Sequence, residues 1–291
     1  MNYIITIADI LLTILQILII ANVVLTWLPR FNVYVPPYHP LVQFVYRVTE
    51  PILRPFRAYG RVGMLDLSPL MALFMIGLVK QIIHGRSIAS IIALVIVLVI
   101  AFTLHEFAHA FVAYRLGDPT AKNQGRLSFD PRRHLDVIGT LMVLAVGFGW
   151  AKPVPVNPYY LRGNPKTSMA IVAVAGPLSN LALAILAALS VRLAGQEFFL
   201  SYSSFFIPSP RELILIFIQL NVLLLFFNLI PIPPLDGFKV LLGFLPSQTS
   251  ASLIQWEPVG PLVLLLLLFF VPGLFTVLVW LPTNYVVNLL I

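Results

Sequence analysis

His105, Glu106 and His109 stand in the order His-Glu-Phe-Ala-His near one end of a continuous apolar stretch. On a helix, positions i and i+4 share a face, so two imidazoles at this spacing can grip one metal ion. The glutamate between them then lies beside the ion, as a general base toward a metal-activated water. The chemistry open to this set is metal-assisted hydrolysis, at or inside a bilayer if the apolar stretch spans one. Zn2+ in such a site needs a third protein ligand and an open position. The chain has no cysteine, so the candidates are His39, His84, His134 and the carboxylates. Asp236 stands out, because it follows a long apolar run in Asn228-Leu-Ile-Pro231-Ile-Pro233-Pro234-Leu-Asp236-Gly237. The prolines break the helix and let the chain bend a side chain inward. An Asp before Gly is by itself an ordinary turn residue; the pairing with HExxH at matching depth favours the ligand. His134 and Asp136 are the nearest rivals and read as structural, Asp136 as a helix N-cap and His134 as a surface residue of a basic loop. His39 and His84 read as bystanders, and Asp9 as a polar contact between helices.

The elements that must position these residues are membrane helices. The chain is 59% hydrophobic and 10% charged, far from a soluble composition. Apolar runs of spanning length lie at about 3–28, 64–83, 87–114, 168–194, 211–230 and 259–282. Buried core helices are excluded, since so many would leave almost no polar surface to cover them. The expected fold is an all-α polytopic membrane protein with about six transmembrane helices and a short re-entrant or extended segment near 137–160. The first run lacks the basic flank and small-residue site of a cleavable signal peptide.

The net charge of +7 could point to nucleic acid, but its distribution does not. Fourteen Lys and Arg fall in the loops after the first, third and fifth runs, or in the segment that leads to the fourth. Only Lys80, Arg86, Arg192 and Arg211 lie near the opposite ends. That is the positive-inside pattern, so the polar loops are expected in the cytoplasm, both termini outside, and no nucleic-acid partner. His105 then lies ~15 Å along its helix from the cytoplasmic end. Residues 137–149 are apolar but short for a crossing. A crossing would also place Lys152, Arg162 and Lys166 outside, so re-entry is expected, followed by extended chain from Trp150 to Tyr160.

The chain divides near residue 85, after His84-Gly85-Arg86, into an N-terminal module (1–84) and a second domain (85–291). The second domain carries HEFAH, Gly176-Pro177-Leu178-Ser179-Asn180 and the NLIPIPPLDG run. It also carries Gly125-Arg126-Leu-Ser-Phe-Asp-Pro131, His134-x-Asp136 and GWAKPVPVNP. Together these resemble the site-2-type intramembrane zinc metalloproteases. The resemblance implies Zn2+ ligands at His105, His109 and Asp236 and a catalytic base at Glu106. It also implies that Asn180 and Asn228 lie near the site and assist the substrate backbone or transition state. Asn180 could equally make an interhelical hydrogen bond. Val137 departs from the proline usual after the His-x-Asp pair. The expected partners are a membrane-protein substrate, cleaved in or near a transmembrane helix, and the lipid bilayer. The expected location is the bacterial inner membrane, with the site toward the cytoplasm.

Residues 1–84 resemble the YggT family of small membrane proteins, on Trp27-Leu-Pro29, His39-Pro40-Leu, Thr49-Glu50-Pro51-Ile-Leu-Arg54-Pro55-Phe56-Arg57 and Leu65-Asp66-Leu-Ser68-Pro69. The stretch Pro40 to Phe56 is amphipathic and could lie along the cytoplasmic interface or, equally, pack as an ordinary helix against the second domain. A non-catalytic scaffold and a metal transporter are the rival functions. The polar positions converge at one depth without internal symmetry, which disfavours the transporter.

Overall fold

The computed structural model describes residues 2–31, 33–62, 65–66, 68–85, 87–136, 139, 151–194 and 207–291. Regular structure there is helical apart from a hairpin of two-residue strands, Arg61–Val62 and Leu65–Asp66. Among the described residues five helices are long and apolar enough to span a membrane: Tyr3–Thr26, Ile88–Arg115, Pro165–Ala194, Pro210–Asn228 and Gly273–Leu290. A shorter apolar helix, Ser68–Ile83, occupies the expected second run. The sixth run is displaced from its expected bounds of 259–282. Helix Gly260–Phe270 ends at Val271, whose φ of −128° and ψ of 56° leave the helical region. Pro272 is the cause: it lacks an N–H, and proline disfavours helical dihedrals in the residue before it. A fresh helical stretch then runs to Leu290. The expected re-entrant segment, 137–149, lies outside the described residues apart from Gly139.

Two compact units divide the described chain, one within 1–87 and the other in 88–136 and 151–291. In the first, α1 (Asn2–Trp27), α2 (Pro40–Gly60) and α3 (Ser68–Ile83) pack on one another. Buried Asn22 donates Nδ2–H to Thr49 Oγ1 at 2.7 Å and so ties α1 to α2. Asp9 Oδ1 lies 3.1 Å from Lys80 Nζ and 2.9 Å from His84 Nε2, tying α1 to α3. The lone acidic residue of the first span is therefore an interhelical contact, and His84 is its partner.

The second unit is built on α4 (Ile88–Arg115), the short α5 (Thr120–Asn123), α6 (Pro165–Ala194) and α7 (Pro210–Asn228). Every fourth residue of α4 from Ala89 is buried: Ala93, Val97, Ala101, His105, His109 and Ala113 follow. The neighbouring row, Ile88, Ile92, Ile96 and Ile100, is exposed. Helix α6 has a matching buried row in Ser168, Val172, Gly176, Asn180, Ala184 and Ala188. Rows four residues apart form ridges, and small side chains along them let two backbones approach closely. From Ile88 to Ala101 both rows are apolar, so there residue size rather than polarity selects the packed one. Two histidines occupy the packed ridge at the level of Gly176 and Asn180.

After α4 the chain loops through 116–136 and returns along 151–157 without helix. Ala151 bridges antiparallel to Leu135, and Lys152 N–H donates to His134 O at 2.8 Å. Buried Asp118 holds the far end. Its Oδ1 accepts from Thr120 N at 2.9 Å, and its Oδ2 from Asn157 N at 2.7 Å.

Candidate metal centre

Three side chains from two helices converge. His105 and His109 come from α4, and Asp236 from the first residue of α8 (Asp236–Phe244). His105 Nε2 and His109 Nε2 are 3.1 Å apart; Asp236 Oδ2 is 3.1 Å from the first and 3.2 Å from the second. Among the described residues this is the group of His and carboxylate side chains placed to hold a metal ion.

The backs of both imidazoles define their faces. His105 Nδ1–H donates to Asn180 Oδ1 at 2.6 Å, and His109 Nδ1–H donates to Val172 O at 2.7 Å. With Nδ1 the donor on each ring, the tautomer inferred from these bonds leaves both Nε2 lone pairs facing the Asp236 carboxylate. Three acceptors then point at one another, an arrangement that a cation resolves. A tetrahedral zinc with bonds of ~2.0–2.1 Å separates its ligand atoms by roughly 3.3 Å. The observed spacing fits, and the two-nitrogen, one-oxygen donor set suits zinc. Outward hydrogen bonds from metal-binding histidines to a carboxamide or a backbone carbonyl are the usual device for fixing such rings.

The surroundings leave little room. A Cβ added at Gly176 would lie 2.3 Å from His109 Nε2 and 2.6 Å from His105 Nε2. Only glycine lets α6 cross there. Asp236 is aimed by the turn that ends α7. Leu229 caps that helix, the proline-rich stretch follows, and α8 begins at Asp236 itself. A Cβ at Gly237 would meet Leu229 O at 2.2 Å, so glycine beside the aspartate lets α8 close against the end of α7. Glu106, adjacent to His105, is 8% exposed.

The other expected residues fall in different places. Asn180 is fully buried and engaged at both ends, since its Nδ2–H donates to Asn221 Oδ1 at 2.8 Å. Asn228 donates to Leu224 O of its own helix at 3.0 Å. His134 is outside the cluster and, contrary to the expected surface position, fully buried: its Nε2–H donates to Ser128 O at 2.7 Å, while its carbonyl receives Lys152. Three features were not anticipated: Asn221, Asp118 and the close approach at Gly176. Asn221 had a usable signal, because an amide in the middle of a spanning helix is a functional candidate by default.

The CCB3/YggT family profile matches residues 1–87, and that of peptidase family M50 matches residues 93–270, more than half of the chain. Over 190 residues the chain is 42% identical to "Putative zinc metalloprotease YwhC" of Bacillus subtilis (strain 168), covering 64% of this chain and 84% of that protein. It is 35% identical over 198 residues to "Putative zinc metalloprotease Rip2" of Mycobacterium tuberculosis (strain ATCC 25618 / H37Rv), covering 62% of this chain and 70% of that one. No solved structure gives a significant match. The donor geometry, the profile and the relatives agree: this chain belongs to peptidase family M50, the site-2 family of zinc metalloproteases, with a CCB3/YggT domain ahead of its protease domain.

Proposed function

We propose that the protein is an intramembrane endopeptidase that cleaves a peptide bond in, or at the margin of, a transmembrane helix of a membrane-protein substrate. His105, His109 and Asp236 hold Zn2+, and Glu106 is the general base. The observation that carries this reading is the set of three inward-facing acceptors on and beside a helix of spanning length. Zinc bound there supplies Lewis-acid polarisation of the scissile carbonyl and brings the pKa of a water toward ~7. Glu106 takes that water's proton on its carboxylate and delivers it to the amide nitrogen as the C–N bond breaks. Asn180 keeps His105 in the productive tautomer, and the Asn228 carboxamide, just ahead of the proline-rich turn, serves the substrate backbone.

A helical substrate must unwind locally before its amide can be attacked. The segment 151–157, free of helix and bridged among the described residues by Leu135 alone, is suited to receive it as an added strand. By charge distribution the site opens toward the cytoplasm. In this reading residues 1–84 form a two-span module and 85–291 the protease domain.

Metal content of the detergent-purified protein, with His105→Ala and Asp236→Ala beside it, tests the ligand set. About one zinc per chain is expected in the wild type by the ligand count, with loss in both variants. Zinc retained in Asp236→Ala would overturn the third ligand.

A further inference from the structure

Arg126 lies in the loop after α5, yet it is 5% exposed. Its Nη2 donates to two carbonyls of the returning segment, Lys152 O at 2.9 Å and Pro153 O at 2.6 Å. Its Nη1 is equally buried and has no hydrogen-bond partner among the described residues. A buried guanidinium nitrogen left unpaired is costly, so such a group calls for an explanation. Burial holds the Arg126 guanidinium below its ordinary pKa, and the Glu106 carboxylate acts in the opposite direction, favouring its charge. The loop is also fastened to the HExxH helix by Phe129, which stacks on Phe107 with ring centroids 4.2 Å apart. One guanidinium therefore holds the strand-like segment and feels the Glu106 charge, with its Nη1 donors unpaired among the described residues.

The chemistry that fits those donors is a neutral acceptor. An anion would be drawn to Arg126 but repelled by Glu106, whereas a peptide carbonyl meets no such penalty. We propose that Arg126 is a further substrate-binding residue: Nη1 receives a backbone carbonyl of the bound peptide, while Nη2 holds residues 152 and 153 as the edge along which that peptide lies. This rests on the protease reading above. It adds a residue that recognises the main chain, so its contribution is independent of substrate side chains.

Two zinc-binding probes separate this role from a structural one. Acetohydroxamate carries only the metal-binding group; a peptide hydroxamate carries the same group followed by amide carbonyls. Their dissociation constants are to be measured on the zinc-loaded full chain in detergent, for wild type, Arg126→Gln and Arg126→Lys, together with zinc content. Arg126→Gln is expected to weaken the peptide hydroxamate about 10- to 100-fold, the range for a hydrogen bond to a charged group. Acetohydroxamate affinity and zinc content are expected to stay at the wild-type level. Arg126→Lys, which keeps the charge but loses the fork, is expected to fall between. Equal weakening of both probes, or no change in either, would overturn the proposal. If the glutamine variant loses zinc, the same comparison on the lysine variant decides. Failure of both probes on zinc-loaded wild type would overturn the protease reading itself, and this inference with it.

Discussion

His105 Nδ1 and Asn180 Oδ1 lie 2.6 Å apart, and the Asn180 amide passes the contact on to Asn221 Oδ1 at 2.8 Å. Three helices, α4, α6 and α7, are thereby linked through the Asn180 carboxamide. Asn221 in turn donates to Phe217 O at 2.8 Å, which closes the chain on a backbone carbonyl. Each amide has a defined orientation because each neighbour dictates which end is donor and which acceptor. The outcome at the far end is a His105 ring whose Nε2 presents a lone pair to the centre.

Removing that support should be felt by the metal. Asn180→Ala is expected to lower zinc affinity about 10- to 100-fold, the usual effect of deleting a hydrogen-bond partner of a metal-binding histidine. Asn221→Leu, which acts one step further away, is expected to have a smaller effect in the same direction. Chelator competition against the purified protein measures both. Wild-type affinity in Asn180→Ala would mean that the contact does not orient the ligand.

Gly176→Ala is expected to abolish stoichiometric zinc binding, because the added methyl would crowd His109 Nε2 and His105 Nε2, the two candidate ligand nitrogens. Gly273→Ala is the control, since a Cβ there meets nothing within 4 Å. Metal content of the two variants, compared with wild type, checks the contrast. A zinc-replete Gly176→Ala would show that α6 can shift away from α4 at little cost.

Glu106→Gln is expected to keep zinc and to slow peptide hydrolysis by about 10²- to 10⁴-fold, the range for loss of a general base. Metal analysis and cleavage of a transmembrane reporter substrate, run on the same preparation, separate the two effects. Zinc loss in this variant would assign Glu106 to the ligand set instead.

Asp118→Ala is expected to destabilise the fold without touching the metal. The buried carboxylate ties the end of α4 to the returning segment through Thr120 and Asn157. Hydrogen bonds to a charged group contribute about 1.5–3 kcal/mol each, and deletion leaves their donors unpaired. Thermal unfolding in detergent should show a lowered midpoint, with zinc content preserved in the folded fraction. An unchanged midpoint would mean that 151–157 is held mainly by Arg126 and the Leu135 bridge.

Much of the site could be read locally. The i, i+4 spacing of His105 and His109 puts both rings on one helix face whatever surrounds them, because helix geometry is a property of the backbone. Membrane helices follow from the composition, since an apolar run of that length has few other solutions. The proline-rich turn before Asp236 was legible too, because proline constrains its own φ and its predecessor regardless of context. The same rule explains the displaced last span, where Pro272 outweighed the continuous hydrophobicity that had drawn one helix over 259–282.

The residue types, the HExxH face and the spanning helices were thus determined by the sequence itself, through short-range backbone geometry and transfer of apolar groups from water. Tertiary structure alone decided which groups meet. Asp236 is 127 residues from His109, and no local rule reports that distance closing. Nor could polarity choose the packed face of α4 over 88–101, because both rows are apolar there and only the fit of small residues against the ridge of α6 distinguishes them. That fit also decided the roles of the asparagines: it put Asn180 behind a histidine and Asn221 behind Asn180. In a low-dielectric interior each polar group must find its partner among whatever the packing brings within reach.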